Sequence, residues 1–436
     1  MDRVLKSRWF HAGVSALIAV SVVIVYSGTF GAAFHFDDLP NIVENYAIRD
    51  LKNLPAIFFG NRGLVMATFA LNYAAGGDNV FGYHVGNVII HIINGILAYF
   101  LVFNTMLKAG GEEARSKKIA AYSALLFALH PVQTQAVTYI VQRMESLASL
   151  FYLAALVVFI KAADASSSAK RALLYAGVAV LYFLGFKSKE VAITLPFVIA
   201  LYDVYFLGGK KGFMGRLPLY GALFLLFIYF LVVTIMPLGG FGDLSAELTG
   251  QFAAPHQPTG LAGVATAQGA APSAGFGVKS ITPFEYLYTQ FNVIVYYITL
   301  LFVPINQNLD YDFPISTGLF TTPEIRPGTV LNIPLPPPVV SLIILLFIIG
   351  LGVYLFSRSR GRGPSLPSSG KPWRGLMVSF FIFWFFIILA PTSSFIPVID
   401  VIFEHRLYLA SLGFFAIFAL CFDWFFGLFA SGRQGP

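Results

Sequence analysis

Two adjacent carboxylates, Asp37 and Asp38, stand directly behind the first long apolar run of this chain, in the stretch HFDDLPNIVEN at 35–45. A carboxylate pair there is either a solvated helix end or a general base at the mouth of a membrane cavity. Other ionisable residues fall at corresponding boundaries further along. They are Arg62 and His91, then Arg143 and Glu145, Lys189 and Glu190, Asp310 and Asp312, and finally Glu404, His405 and Arg406. Ionisable groups at membrane depth cost roughly 2.5–3.5 kcal/mol each on insertion scales unless they are paired or hydrated. They are therefore expected to share one polar cavity. Carboxylates mixed with Arg, Lys and His suit a phosphate-bearing ligand together with a proton acceptor.

Each residue also has a bland reading. Asp37-Asp38 can end a span, Arg143 and Glu145 can pair structurally, and Lys187-Ser188-Lys189-Glu190 is a tight loop where charge is expected anyway. Glu404-His405-Arg406 can anchor at the interface, and Asp310 and Asp312 can simply be solvated. His84 and His91 lie seven apart on one helical face, where packing is a commoner role than metal binding. The soluble-enzyme signatures GxxxxGK[ST], HExxH, CxxC and GxSxG are missing.

The elements that must position these residues are apolar helices. Of the 436 residues, 57% are hydrophobic and only 11% charged, against about 25% charged in a soluble domain. Apolar runs long enough to cross ~30 Å of hydrocarbon recur along the chain, so the expected class is an all-α polytopic membrane protein. Spans are read near 12–34, 83–107, 119–130, 146–163, 172–186, 191–207, 217–237, 339–357, 374–390 and 407–428. The N-terminal run is longer than the core of a signal peptide and reads as an uncleaved anchor.

With the N-terminus inside, most of the 28 Lys and Arg residues fall in cytoplasmic segments, as the positive-inside rule asks. The net charge of +7 is thus dispersed over short loops; it fits anionic lipid, and no nucleic acid partner is expected. The single cysteine, Cys421, excludes an internal disulfide. Residues 284–303 are apolar enough to span, but Glu285, Thr289, Gln290, Asn292, Tyr296 and Thr299 recur on one face. Such a stripe suits a helix lying at the interface or lining a cavity, which gives ten spans with eleven as the rival count. The chain reads as one membrane domain over 1–436. External loops cover 35–82, expected to hold short surface helices, and 238–338, whose Gly/Ala/Ser-rich part at 239–278 is expected to be mobile.

Six stretches carry a family resemblance. They are the FDD and PNI of 36–42, YHVGNVIIHIINGILAYFL (83–101), ALHPVQTQAVTYIVQRMESLASLFYLAAL (128–156), KSKEVAITLPFVIALYD (187–203), YLYTQFNVIVYYITLLFVPINQNLDYDFP (286–314) and APTSSFIPVIDVIFEHRLYL (390–409). Together they resemble the GT-C glycosyltransferases, most of all bacterial relatives of the transmembrane-and-TPR-repeat and protein O-mannosyltransferases. The resemblance implies a GT-C-type bundle of about 10–11 transmembrane helices with external interfacial helices. It implies inverting transfer of a sugar from a polyprenyl-phosphate donor to an acceptor hydroxyl, on a protein Ser/Thr or a glycan, outside the cytoplasmic face. The setting would be the inner (cytoplasmic) membrane, with the site facing the periplasm or exterior.

On this resemblance Asp37-Asp38 occupy the place of the catalytic base. Arg143, Lys189, His405 and Arg406 are candidates for the donor phosphate, and Arg62, His91, Glu145, Glu190, Asp310, Asp312 and Glu404 for further substrate contacts. No organic cofactor and no metal ligand set is expected, and a divalent metal requirement stays open. Relatives with C-terminal repeats would use them for acceptor capture; here that role is expected to be absent or supplied by another protein. The competing classes are a transporter or flippase of a lipid-linked sugar, which would show inverted repeats and a midplane site, and a non-catalytic envelope-assembly protein.

Overall fold

The computed structural model describes residues 9–208, 210–235, 278, 280–325, 328, 329, 331, 333–360 and 373–431. The stretch 239–278 expected to be mobile lies, but for Val278, outside them, as do the basic residues Arg3, Lys6 and Arg8. The described residues form helices and loops with no strand. The long helices are α1 (Phe10–Tyr26), α2 (Gly63–Gly76), α3 (Val80–Ala109), α4 (Glu113–Leu129), α5 (Arg143–Ala163) and α6 (Ser168–Phe186). They continue with α7 (Leu195–Tyr202), α8 (Leu217–Ile235), α9 (Pro283–Phe302), α10 (Pro338–Arg360), α11 (Trp373–Leu389) and α12 (Leu407–Ser431).

Among the described residues, seven helices are long and apolar enough to cross a membrane, and α2, α8 and α11 are shorter apolar helices. Each of the ten expected spans coincides with a helix, α7 being lengthened by the irregular turns of Glu190–Thr194 and Asp203–Leu207. Helix starts follow local chemistry. Asn79 accepts from the Phe81 amide and Ser167 from the Lys170 amide, while Thr282 and Glu285 form a reciprocal capping box ahead of Pro283. Leu173, Leu225 and Phe347 face outward at 70–73% exposure, as residues solvated by lipid do. The central helices α5 and α12 bury most of their surface inside the bundle.

The core is one large apolar cluster running from Ile18 and Val22 of α1 through Phe127, Leu153, Ile199 and Trp384 to Leu407 and Tyr408. Helices approach most closely where side chains vanish. A Cβ on Gly413 of α12 would sit 2.7 Å from the Phe381 carbonyl oxygen of α11. A second, smaller core of Ile42, Ile48, Val65, Phe69, Tyr83, Ile140 and Val141 lies under the first loop. It fastens that loop, with its short helical turns and α2, onto one end of the bundle. The loop does contain short helices, and they are packed against the bundle.

The bundle has two chemically distinct ends. At one, the expected cytoplasmic cations meet carboxylates: Lys108 with Asp164, Arg216 with Asp203, Lys117 with Glu113, and Arg115, Lys118 and Arg374 with Asp423. The expected span at 119–130 begins earlier, at Glu113, because Lys117 and Lys118 join the helix through these pairs.

At the other end lie the first loop and the loops at 187–190, 303–314 and 390–406. Helix α9 runs beside that last loop. Tyr286 donates to the Thr392 carbonyl, Gln290 to that of Val401 and Tyr297 to that of Phe403. Part of its polar stripe is bonded to protein, Asn292 to the Pro336 carbonyl and to Ser341 of α10, and Thr289 to the Ser316 backbone.

Candidate functional site

The two carboxylates of the pair differ in their surroundings. Asp38 is buried at 1% exposure, and its two oxygens accept the backbone amides of Val141 (2.7 Å) and His35 (3.0 Å). It therefore clips the first loop to the segment ahead of α5. Burial pushes its carboxyl up to about 6, against the pull of those two amides. Asp37 is exposed, and its backbone N–H donates to the Tyr139 hydroxyl at 2.8 Å. The preceding Phe36 has φ 43°, a left-handed backbone that costs a bulky residue of order 1 kcal/mol. The clip and the tyrosine hold that turn in place, and the Asp37 carboxylate is presented outward.

Around Asp37 the loops converge. Arg62, also left-handed at φ 48°, makes a two-pronged ion pair with Glu190, both contacts 3.1 Å, joining the first loop to the start of α7. Lys189 binds Glu145 at 2.8 Å and Gln142 at 3.3 Å; burial lowers its pKa, with Glu145 opposing. His405 is held by Gln135, whose Oε1 accepts from its backbone N–H at 2.6 Å and lies 3.1 Å from its Nδ1, and its ring stacks on Phe403. Arg406, buried at 8% exposure, donates to the carbonyls of Val401 and Asp400 and lies over the Phe403 ring at 5.4 Å.

Glu404, 2% exposed, accepts from the Tyr311 hydroxyl, the Gln307 amide and the Asn308 backbone (2.9 Å). It thereby ties the 303–314 loop, where Asn306 is left-handed at φ 52°, across this end of the bundle. Asp310 and Asp312 are exposed on that loop.

Two expected contacts lie elsewhere. The Arg143 guanidinium is 2% exposed and donates to Asn87, Thr68, Asn72 and the Tyr83 carbonyl, with its face over Phe69 at 4.6 Å. It locks α2, α3 and α5 together from inside. His91 is fully buried within the bundle, its ring nitrogens against the Tyr408 hydroxyl (2.6 Å) and the Ala128 carbonyl (2.9 Å). His84 likewise meets the Ala32 carbonyl. Among the described residues no group of three or more His, Cys, Asp or Glu is arranged to hold a metal.

Two contributors, Tyr139 and Asp400, escaped the sequence reading. Tyr139 sits in the irregular segment between α4 and α5, inside a stretch that the resemblance had already marked. Asp400 keeps an exposed surface near Arg406, Asp310 and Asp37; partial desolvation of its carboxyl raises its pKa, Arg406 opposing and the two acids adding. The signal for Asp400 was its place four residues before Glu404 in an otherwise apolar loop. The arrangement as a whole offers an outward carboxylate, a second carboxylate that fixes it, and an adjoining positive group. That combination can take a proton from a hydroxyl beside a bound anion.

No family model and no solved structure matches the chain. Several curated proteins do. The human protein O-mannosyl-transferase TMTC1 is 29% identical over 222 residues, covering 46% of this chain and 24% of its own length. The Caenorhabditis elegans protein O-mannosyl-transferase F38B6.6 is 33% identical over 177 residues (37% and 25%), and human TMTC4 is 29% identical over 237 residues (48% and 31%). The chain spans less than a third of the length of these relatives. By sequence, and over that shared stretch, this all-α membrane chain is similar to proteins named protein O-mannosyl-transferases.

Proposed function

We propose that this chain is an inverting glycosyltransferase that moves a sugar from a polyprenyl-phosphate donor to a protein Ser/Thr hydroxyl, on the outer side of the membrane. The observation that carries the reading is the asymmetry of the acidic pair, Asp38 clipped and buried and Asp37 exposed within electrostatic reach of Arg62, in a chain similar to proteins named protein O-mannosyl-transferases.

In this reading Asp37 takes the acceptor's proton as its oxygen bonds to the anomeric carbon. The bond from that carbon to the phosphate oxygen breaks, and the electron pair leaves with the polyprenyl phosphate. A carboxylate in this role contributes typically about 10²–10⁴-fold. Arg406, held by neutral carbonyls, meets the charge developing on the phosphate. Lys189 and Arg62 reach it only by sharing their carboxylates, Glu145 and Glu190. Arg143 supports the site from within the bundle instead of touching the donor.

The purified chain in nanodiscs, given radiolabelled polyprenyl-phosphate-mannose and a Ser/Thr-rich peptide, is expected to yield labelled peptide and free polyprenyl phosphate. Movement of the labelled lipid between leaflets of reconstituted vesicles, without any covalent product, would overturn the reading in favour of a flippase.

A further inference from the structure

The end of the bundle opposite Asp37 holds an overcompensated carboxylate. Asp423 of α12 is 3% exposed. Its Oδ2 accepts from Arg115 Nε at 2.6 Å and Arg374 Nη2 at 3.0 Å, and its Oδ1 from Lys118 Nζ at 2.7 Å. The three cations come from α4 and from the first turn of α11. Their side chains keep 36%, 31% and 28% of their surface. A single cation suffices to keep a buried carboxylate charged. Three leave two positive charges in excess, on groups already fixed in place by the acid beneath them.

The surroundings say what the excess faces. Trp373 lies under two of the cations, 5.9 Å from the Arg115 guanidinium and 5.3 Å from that of Arg374, as aromatic residues do at headgroup depth. Beside Asp423 on the same helix, Phe422 and Phe426 are 45% and 52% exposed, and Phe422 meets Tyr122 of α4 edge-on. Apolar rings therefore run into the bilayer directly from the cation cluster.

We propose that Arg115, Lys118 and Arg374 form a binding site for the phosphodiester headgroup of an anionic phospholipid, with its acyl chains along Tyr122, Phe422 and Phe426. Charge complementarity selects an anionic over a zwitterionic headgroup, and the buried Asp423 pre-sets the donors, so little side-chain freedom is lost on binding. The site is independent of the sugar-transfer reading, because it lies at the other end of the helices and uses none of the same residues.

The test is association of spin-labelled phosphatidylglycerol and phosphatidylcholine with the full chain in vesicles. The wild type is expected to retain phosphatidylglycerol preferentially. Arg115→Gln combined with Lys118→Gln is expected to lower that preference by about fivefold or more, with helix content unchanged. An unchanged preference in a folded double variant overturns the site. If the double variant does not fold, Lys118→Gln alone decides, since it leaves both arginines on Asp423; it must lose part of the preference. A third arm adds inorganic phosphate to phosphatidylcholine nanodiscs. Thermal stabilisation there equal to that given by phosphatidylglycerol would overturn the lipid assignment in favour of a free anion.

Discussion

At the scale of single residues, the acidic pair separates into an acid that builds and an acid that is offered. Asp38 has a pKa of about 6 in the folded chain against an ordinary value of 3.8, because burial penalises its charge. Between those values the folded state holds a proton that the unfolded chain has lost. Stability therefore falls as pH rises through that window and levels off above it. Asp38→Asn removes the titration, so its melting temperature, compared with wild type from about pH 4 to pH 7, is expected to lack that decline.

Glu404 makes a different point. Three donors converge on its buried carboxylate, and hydrogen bonds to charged groups contribute about 1.5–3 kcal/mol each. Glu404→Gln turns an amide donor towards donors, so it is expected to lower the melting temperature and speed hydrogen exchange across 303–314. Sequence alone could nominate both acids but not assign their roles, because burial and partner amides are properties of folded loops. Arg143 shows the opposite failure. As an arginine at a span boundary it looked like a phosphate ligand, yet neutral acceptors on two other helices, α2 and α3, surround it, and no local pattern in the chain announces them.

At the scale of elements, apolar run length was enough to place a helix at each of the ten expected spans, and among the described residues seven helices are long and apolar enough to cross a membrane. The short turns of the first loop were legible only as an expectation, because they are fixed by a distant core of Ile42, Val65, Phe69 and Val141. The polar face of α9 was visible in the sequence, but its partners were not. They include the Val401 backbone carbonyl, more than a hundred residues away, as well as Ser316, Pro336 and Ser341. Helix contacts also hinge on small residues. Gly413→Ala would drive a methyl against the Phe381 backbone of α11, with an expected loss of about 1–3 kcal/mol, read as reduced thermal stability in detergent. The Arg62–Glu190 link between the first loop and α7 is about one-third exposed on each side. Arg62→Gln is accordingly expected to cost no more than about 1 kcal/mol of stability, while lowering transfer activity through the loops it joins.

At the scale of the whole molecule, the chain is polarised. One end gathers acids with a few cations under strained loops, and the other gathers cations around Asp423. That polarity fits an enzyme whose lipid-borne substrate arrives through the bilayer and whose acceptor arrives from outside. The account stands on Asp37 as the base, and one comparison tests it most directly. Sugar transfer from polyprenyl-phosphate-mannose to a peptide is measured for wild type, Asp37→Asn and Asp38→Asn in nanodiscs, alongside each variant's melting temperature. The account predicts that Asp37→Asn melts like wild type and loses about 10²-fold or more of its rate, while Asp38→Asn changes its melting behaviour as well as its rate. A folded Asp37→Asn chain that transfers sugar at the wild-type rate would contradict it.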